Sequence, residues 1–378
     1  VYGIVEDEAG DLLVGAAGTA AAGTVTLYRN STWTATGDLA GMVNLRSLIS
    51  ADDGTLYAAG EASDDAAKVF KSTNGGTSWS ETGTLPGSPI RAWSLFEDDG
   101  KIYCGYRSSG SDAGIFGSSD SGESWSDEGL PTPGNYYLYG FAQTPNGVLY
   151  ASAGPSSGDV YRKTGASSWT VTDGDILDVT GGYGIVARAD GNVCVGGYYD
   201  NGSSLIARVV TTSDGGANWT HLGAINNVCA NGAIVYCLLE TAGGTLFAGA
   251  RKNSDTDPPG TAVILRHDTS EPHDWVEIAA FPSSYGVYTM METPNGNLFA
   301  GTVADTGTTK WGRVYRSTDG GANWIDTGLL QRDEHFAHGL ACDDEGYIYV
   351  ATGKTRGDVY KSAEPLGLSD HGTLFILR

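Results

Sequence analysis

An all-β ring of repeated four-stranded sheets is the fold this sequence predicts, and three observations predict it. One phrase recurs eight times: a short apolar strand, an acidic or Pro-Asn turn ending in glycine, then a strand such as Leu56-Tyr57-Ala58-Ala59-Gly60. The turn glycines are Gly10, Gly54, Gly100, Gly147, Gly191, Gly244, Gly296 and Gly346, so a new copy begins every 44 to 53 residues along nearly all of the 378-residue chain. Composition agrees: 56 glycines without a three-residue period and only 12 prolines exclude collagen. With 40% hydrophobic and 10% aromatic residues there is ample material for a core, which argues against disorder. No stretch carries a 3.6-residue apolar period long enough for a helix. Four-stranded units of about 45 residues are the signature of a β-propeller, expected here as one domain over 1–378 with eight blades and seven as the alternative.

Each copy reads as four strands, A to D. In the second copy strand A is Arg46–Ser50, and a hairpin at Asp52-Asp53-Gly54 leads into strand B at Thr55–Ala59. Glycine supplies the positive φ such a hairpin needs. Strand C follows at Val69-Phe70-Lys71-Ser72, with Val160-Tyr161-Arg162 and Val314-Tyr315-Arg316 as counterparts. Strand D begins at a tryptophan: Trp33, Trp79, Trp125, Trp169, Trp219, Trp275 and Trp324. The last copy lacks it, and the apolar run Thr373–Leu377 is its expected strand D. Strands A and B are apolar on both faces, as blades sandwiched between neighbours require.

The C–D turns are more specific. Ser118-Ser119-Asp120-Ser121-Gly122-Glu123-Ser124-Trp125 and Ser317-Thr318-Asp319-Gly320-Gly321-Ala322-Asn323-Trp324 match the Asp-box pattern Ser-x-Asp-x-Gly-x-x-Trp. The copy at Thr212–Trp219 differs by Thr for Ser, and the copy at Ser72–Trp79 carries Asn74 for Asp. On these four boxes the chain resembles the Asp-box (BNR-repeat) propellers, a sialidase-like and sortilin-like group that holds glycan-cleaving enzymes, receptors and photosystem-assembly propellers. The resemblance implies that the boxes lie opposite any active face. Their chemistry is structural: the carboxylate or amide accepts backbone N–H groups, glycine allows the turn, and tryptophan fills the space between sheets. A sialidase would further need three converging arginines, a Tyr–Glu pair and an acid. The Arg-Ile-Pro segment of that family is missing, and Pro89-Ile90-Arg91 runs in the wrong order.

Charge narrows the partners. With 22 basic and 45 acidic residues the net charge is −23, which repels nucleic acid and anionic membrane surfaces. No run of 18 strongly apolar residues predicts a membrane-spanning helix, and no membrane insertion is expected. Five cysteines form no CxxC pair and no metal-ligand cluster, so neither metal nor cofactor is expected. Cys104 and Cys194 fall in strands and are read as buried thiols, while Cys229 and Cys237 are near enough in sequence to leave their disulfide status open. The start at Val1 suggests a processed N-terminus and, with the family resemblance, an extracellular or otherwise extracytoplasmic protein.

Function on such a ring is expected at the channel mouth, on the D–A loops and the first residues of strand A. Eight residues before each turn glycine stand Tyr2, Arg46, Ala92, Tyr139, Tyr183, Tyr236, Tyr288 and His338. Arg91, Tyr136, Tyr137, Asn226, Tyr285 and His335 are close by. The predicted ligand-binding set is Arg46, Arg91, Tyr139, Tyr183, Tyr236, Tyr288, His335 and His338. Tyrosines suit sugar rings and the arginines can clamp a carboxylate or sulfate; the competing reading is that the tyrosines wedge between blades. A polysaccharide lyase would draw on His335, His338, Tyr288 and Arg46 as base and neutraliser. A hydrolase would need a carboxylate pair, with Asp173, Asp175, Asp178, Asp333 and Glu334 as D–A loop candidates. The B–C loops Gly249–Thr261 and Gly301–Gly312 are the longest, and Trp311 stands outside the repeat. Short connections elsewhere favour a non-catalytic glycan- or protein-recognition module over a glycan-cleaving enzyme.

Overall fold

The computed structural model describes all residues except 1–2, 7–11, 17–23, 30–31, 36–38, 40–41, 75–77, 111, 131–136, 155–157, 173–175, 177–178, 230–231, 253–259, 272–273, 283, 294, 306–309, 330–333, 343–347, 355–358, 363–375 and 378. Side chains are described from Ala51 to Thr327, apart from those segments, residue 226 and residues 303–312, and at Leu39, Ser47 and Ile49. Within these bounds the chain forms eight antiparallel four-stranded sheets, each built from four consecutive strands. The A strands are Gly3–Glu6, Met42–Ser50, Arg91–Asp98, Tyr137–Gln143, Gly181–Ala187, Ile234–Glu240, Gly286–Glu292 and Glu334–Cys342. Each lies against the A strand of the next sheet, and the first meets the eighth, so the A strands line the inside of a closed ring. Eight sheets, not seven, make that ring. The last strand D is there too, with Ile376–Leu377 pairing Lys361–Ser362.

The core sits between the blades. Strand B of the second blade (Leu56–Ala62) and of the fourth (Val148–Gly154) is buried at every position. One cluster joins Tyr57 and Val69 of the second blade to Ile102, Phe116 and Trp125 of the third. The next joins Tyr103 and Ile115 to Leu149, Tyr161 and Trp169. A sheet with two apolar faces can be satisfied only by a neighbour on each side, which is why the repeat must close on itself.

The Ser/Thr-x-Asp/Asn turns of the third, fifth and seventh blades pack against the blade before. In the third blade Asp120 Oδ1 accepts the Ser118 hydroxyl at 2.8 Å and the Ser124 N–H at 2.9 Å, while the Gly122 N–H donates to Ser118 Oγ at 2.8 Å. Asp214 and Asp319 make the same bonds, and Asn74 reproduces those to the hydroxyl and the N–H. Gly122 has a φ of 81°, and a Cβ there would stand 2.9 Å from Thr82 at the end of the preceding strand D. Trp125 Nε1 donates to the same threonine's hydroxyl at 3.2 Å, and Trp219 Nε1 to that of Thr172 at 3.0 Å. Tryptophan thus stands just before strand D in these blades and bridges two of them.

Several expectations are corrected. The segments read as the longest B–C loops are partly strand, because Leu246–Lys252 pairs with Thr261–His267 and Leu298–Asp305 with Lys310–Ser317. Trp311 therefore lies in a C strand, paired with Ala304. His335 and Glu334, expected in a loop, belong to the eighth A strand. One short helix, Ile225–Cys229, carries Asn226 between the fifth and sixth blades. Cys104, Cys194, Cys229 and Cys237 are all free thiols, and burial pushes Cys104, Cys229 and Cys237 up to about 12.

Candidate functional site at the channel mouth

Inner strands of this ring do not pair evenly. In seven of the eight, a residue slips out of the A–B ladder as a β-bulge at one shared level. The unpaired residue lies between Leu45 and Ser47, Ala92 and Ser94, Leu138 and Gly140, Gly182 and Gly184, Val235 and Cys237, Val287 and Thr289, and Ala337 and Gly339. These residues are Arg46, Trp93, Tyr139, Tyr183, Tyr236, Tyr288 and His338. A bulge turns its side chain out of the normal alternation, a recurrent way of aiming residues at a site. The second and eighth inner strands each have a further bulge, at Val43 and His335. Six of the residues aligned from sequence therefore share one structural position, while Tyr2 lies outside the described residues.

Blade three departs by one residue: Trp93, not Ala92, holds the level. Its A–B hairpin is a two-residue turn, Asp99 at φ 49° and Gly100 at φ 77°, and Asp98 pairs directly with Lys101. In the second and the fourth to seventh blades the turn is one residue longer, as where the Ala51 N–H donates to the Thr55 carbonyl around Asp52-Asp53-Gly54, so counting back from the glycine overshoots. Ala92 is instead fully buried in the core.

The aromatic bulge residues converge. Ring centroids lie 6.0 Å apart for Trp93–Tyr139, 4.6 Å for Tyr139–Tyr183, 5.6 Å for Tyr183–Tyr236 and 4.3 Å for the stacked pair Tyr236–Tyr288. Tyr137 packs on Trp93 at 4.3 Å. Hydroxyls link Tyr139 and Tyr198 to Tyr183, and Tyr236 to Tyr288. The result is a half-buried arc over five successive blades, held by its own contacts. Burial raises the phenols of Tyr139, Tyr183, Tyr236 and Tyr288 above the ordinary tyrosine value, and holds Tyr198 at about 12. These phenols are protonated donors and stacking surfaces at neutral pH.

Strand B supplies the charge. Arg107 is the last residue of the third B strand (Lys101–Arg107) and Arg251 the last but one of the sixth (Leu246–Lys252). Arg107 Nη1 donates to Tyr137 Oη at 3.0 Å, with its guanidinium 5.2 Å above that ring. Arg251 donates through Nη1 to Tyr285 Oη and through Nη2 to the Gly232 carbonyl at 3.2 Å. Arg91 is turned elsewhere: its Nε stands 3.1 Å from Glu61 of the preceding blade, an ion pair between blades. For Arg46, His335 and His338 the description is of backbone position alone. Tyr136, Asp173, Asp175, Asp178 and Asp333 lie outside the described residues. Trp93, Arg107, Tyr198 and Arg251 were not among the predicted residues. A signal existed, since seven residues after the turn glycine stand Glu61, Arg107, Tyr198 and Arg251, a second row that counting forward reveals.

A closed ring of four-stranded antiparallel blades with its bulges on the inner strands defines a β-propeller. Residues 91–363 match the family described as the DUF6242 beta propeller domain, and the chain belongs to that family. None of the curated proteins matches it in sequence. Among solved structures, Sqt1 of Saccharomyces cerevisiae is similar at 12% identity with a TM-score of 0.63, over 96% of this chain and 95% of that one. YCF48 bound to D1 peptide is similar at 14% identity and TM-score 0.51, over 95% and 90%. A PL25 ulvan lyase bound to a -[GlcA(1-4)Rha3S]- ligand is similar at 13% and 0.50, over 95% and 90%. At these identities the likeness is one of fold.

Proposed function

We propose that this propeller is a non-catalytic recognition module that binds a glycan or a protein at its D–A face. The observation that carries the reading is the bulge row: seven successive inner strands each release one residue at the same level of the ring, and at that level the residue is aromatic or basic in every case. Carbohydrate rings and peptide side chains both stack on such surfaces, and the phenol hydroxyls add donors. The similar structures with bound peptide and bound glycan make either ligand class compatible with a ring of this kind. We place the four Ser/Thr-x-Asp/Asn turns with the Asp-box (BNR) type, acting as blade locks, and the protein outside the cytoplasm.

A glycan-cleaving enzyme is the second reading, favoured by His335 and His338 at two bulges of one inner strand. The raised tyrosine phenols weigh against it, because a lyase base must give up its proton near the working pH. The test is a glycan and peptide binding screen run beside an assay for newly formed reducing or unsaturated ends. The expected result is a ligand whose affinity falls at least tenfold in Tyr183→Ala and Tyr236→Ala, with no bond cleaved. Cleavage products that vanish in His338→Ala would replace recognition by catalysis, and affinities indifferent to both tyrosines would remove the mouth from the function.

A further inference from the structure

Most described lysines and arginines of this acidic chain have a carboxylate partner: Lys68 with Glu81, Lys71 with Glu123, Lys101 and Lys163 with Glu128, Arg188 with Glu240, Lys252 with Glu277. Arg251 has none. It is half-buried at the mouth face, and its contacts are the Tyr285 hydroxyl, the Gly232 carbonyl and the Tyr285 ring, 4.9 Å from its guanidinium. Its Nε is buried and makes no hydrogen bond. Gly232 precedes the sixth inner strand and Tyr285 the seventh, so neighbouring D–A loops hold the guanidinium from both sides. Its charge also reaches Tyr183, Tyr236 and Tyr288, whose phenols it pulls down against the effect of burial. In a chain of net charge −23, a fixed cation whose partners among the described residues are all neutral, beside a stack of aromatic rings, is arranged for an anion brought from outside.

We propose that Arg251, between Tyr285 and the stacked pair Tyr236–Tyr288, binds the carboxylate of a uronic acid unit carried on an otherwise neutral glycan. This rests on the recognition reading above and names the ligand class of that same mouth. Two features favour this ligand. A planar guanidinium engages a carboxylate with paired donors, and the adjacent tyrosine faces suit a pyranose ring. The surrounding negative field disfavours a dense polyanion, whereas one carboxylate per ligand meets the local cation without repeated repulsion.

The test is a set of neutral-backbone oligosaccharides bearing a single glucuronic or galacturonic acid, each paired with its carboxyl-reduced form, and a set of peptides with free or amidated C-termini. Affinities are measured for the wild type, Arg251→Gln, Arg251→Lys and Tyr285→Phe, with melting curves for each variant. The expected result is a uronate-bearing binder that weakens at least tenfold on carboxyl reduction. Arg251→Gln should weaken the acidic form alike and leave the reduced form unchanged, with partial recovery in Arg251→Lys. Equal affinity for acidic and reduced forms, or an intact response in Arg251→Gln, overturns the proposal. Binding confined to free peptide C-termini also overturns it, in favour of a peptide ligand. If neutral glycans bind through Tyr183 and Tyr236 the recognition reading survives and only the assignment to Arg251 fails, whereas no binding by any probe refutes both. Should Arg251→Gln melt before assay, Tyr285→Phe, which removes one hydroxyl from the guanidinium, carries the same comparison.

Discussion

Replacing Trp219 by alanine is expected to unlock the fourth blade from the fifth. The indole is 4% exposed and packs with Tyr150, Val160 and Ile176 on one side and Val193, Val195 and Val210 on the other. Its Nε1 donates to Thr172 Oγ1 at 3.0 Å, and that hydroxyl in turn donates to the Val160 carbonyl at 3.0 Å. Truncating a buried tryptophan to alanine costs about 3–5 kcal/mol, of which about 1 kcal/mol corresponds to the lost hydrogen bond. Trp219→Phe should recover most of the packing and forfeit that bond alone. Trp79, half-buried in the second blade, should cost less than Trp219 on the same replacement. The measurement is guanidinium unfolding followed by far-ultraviolet circular dichroism, with affinity for any mouth ligand measured on the folded variant. A loss below about 1 kcal/mol for Trp219→Ala, or a larger loss at Trp79, would refute the inter-blade account of these tryptophans. A specific loss of ligand affinity with unchanged stability would do the same.

Asp120 and Asp214 accept several hydrogen bonds, those from Ser124 and Asn218 foremost, which pull both carboxyls down to about 2. Because the folded values are depressed, their contribution is present above the unfolded value of about 3.9 and disappears as pH falls through the folded one. Asp120→Asn with Asp214→Asn should fold, since Asn74 already makes the equivalent bonds, and its melting temperature should approach that of the wild type between pH 5 and pH 2; a gap independent of pH would contradict this. Arg91→Ala should destabilise the fold by about 1–3 kcal/mol through the lost partner of the largely buried Glu61, while mouth-ligand affinity stays the same. A stable variant that no longer binds would return Arg91 to the ligand site.

The repeat, the turn glycines, the tryptophans before strand D and the hydroxyl–carboxylate turns were all legible in the sequence. Each is local chemistry that recurs: Gly54 and Gly100 are needed for positive φ, and Asp120 bonds within four residues of itself. The number of blades followed from the same periodicity, and so did six members of the mouth row. Tertiary structure decided the rest. Trp93 rather than Ala92 occupies the row because the Asp99-Gly100 hairpin is one residue shorter, and ladder register is a property of two strands together. Arg91 turns to Glu61 and Arg251 to Tyr285 across thirty or more residues, contacts set by how one blade lies on the next. Sequence spacing fixes which residues share a level on the ring; which of them meet a carboxylate of the protein, and which meet neutral tyrosine and backbone groups, depends on packing between blades.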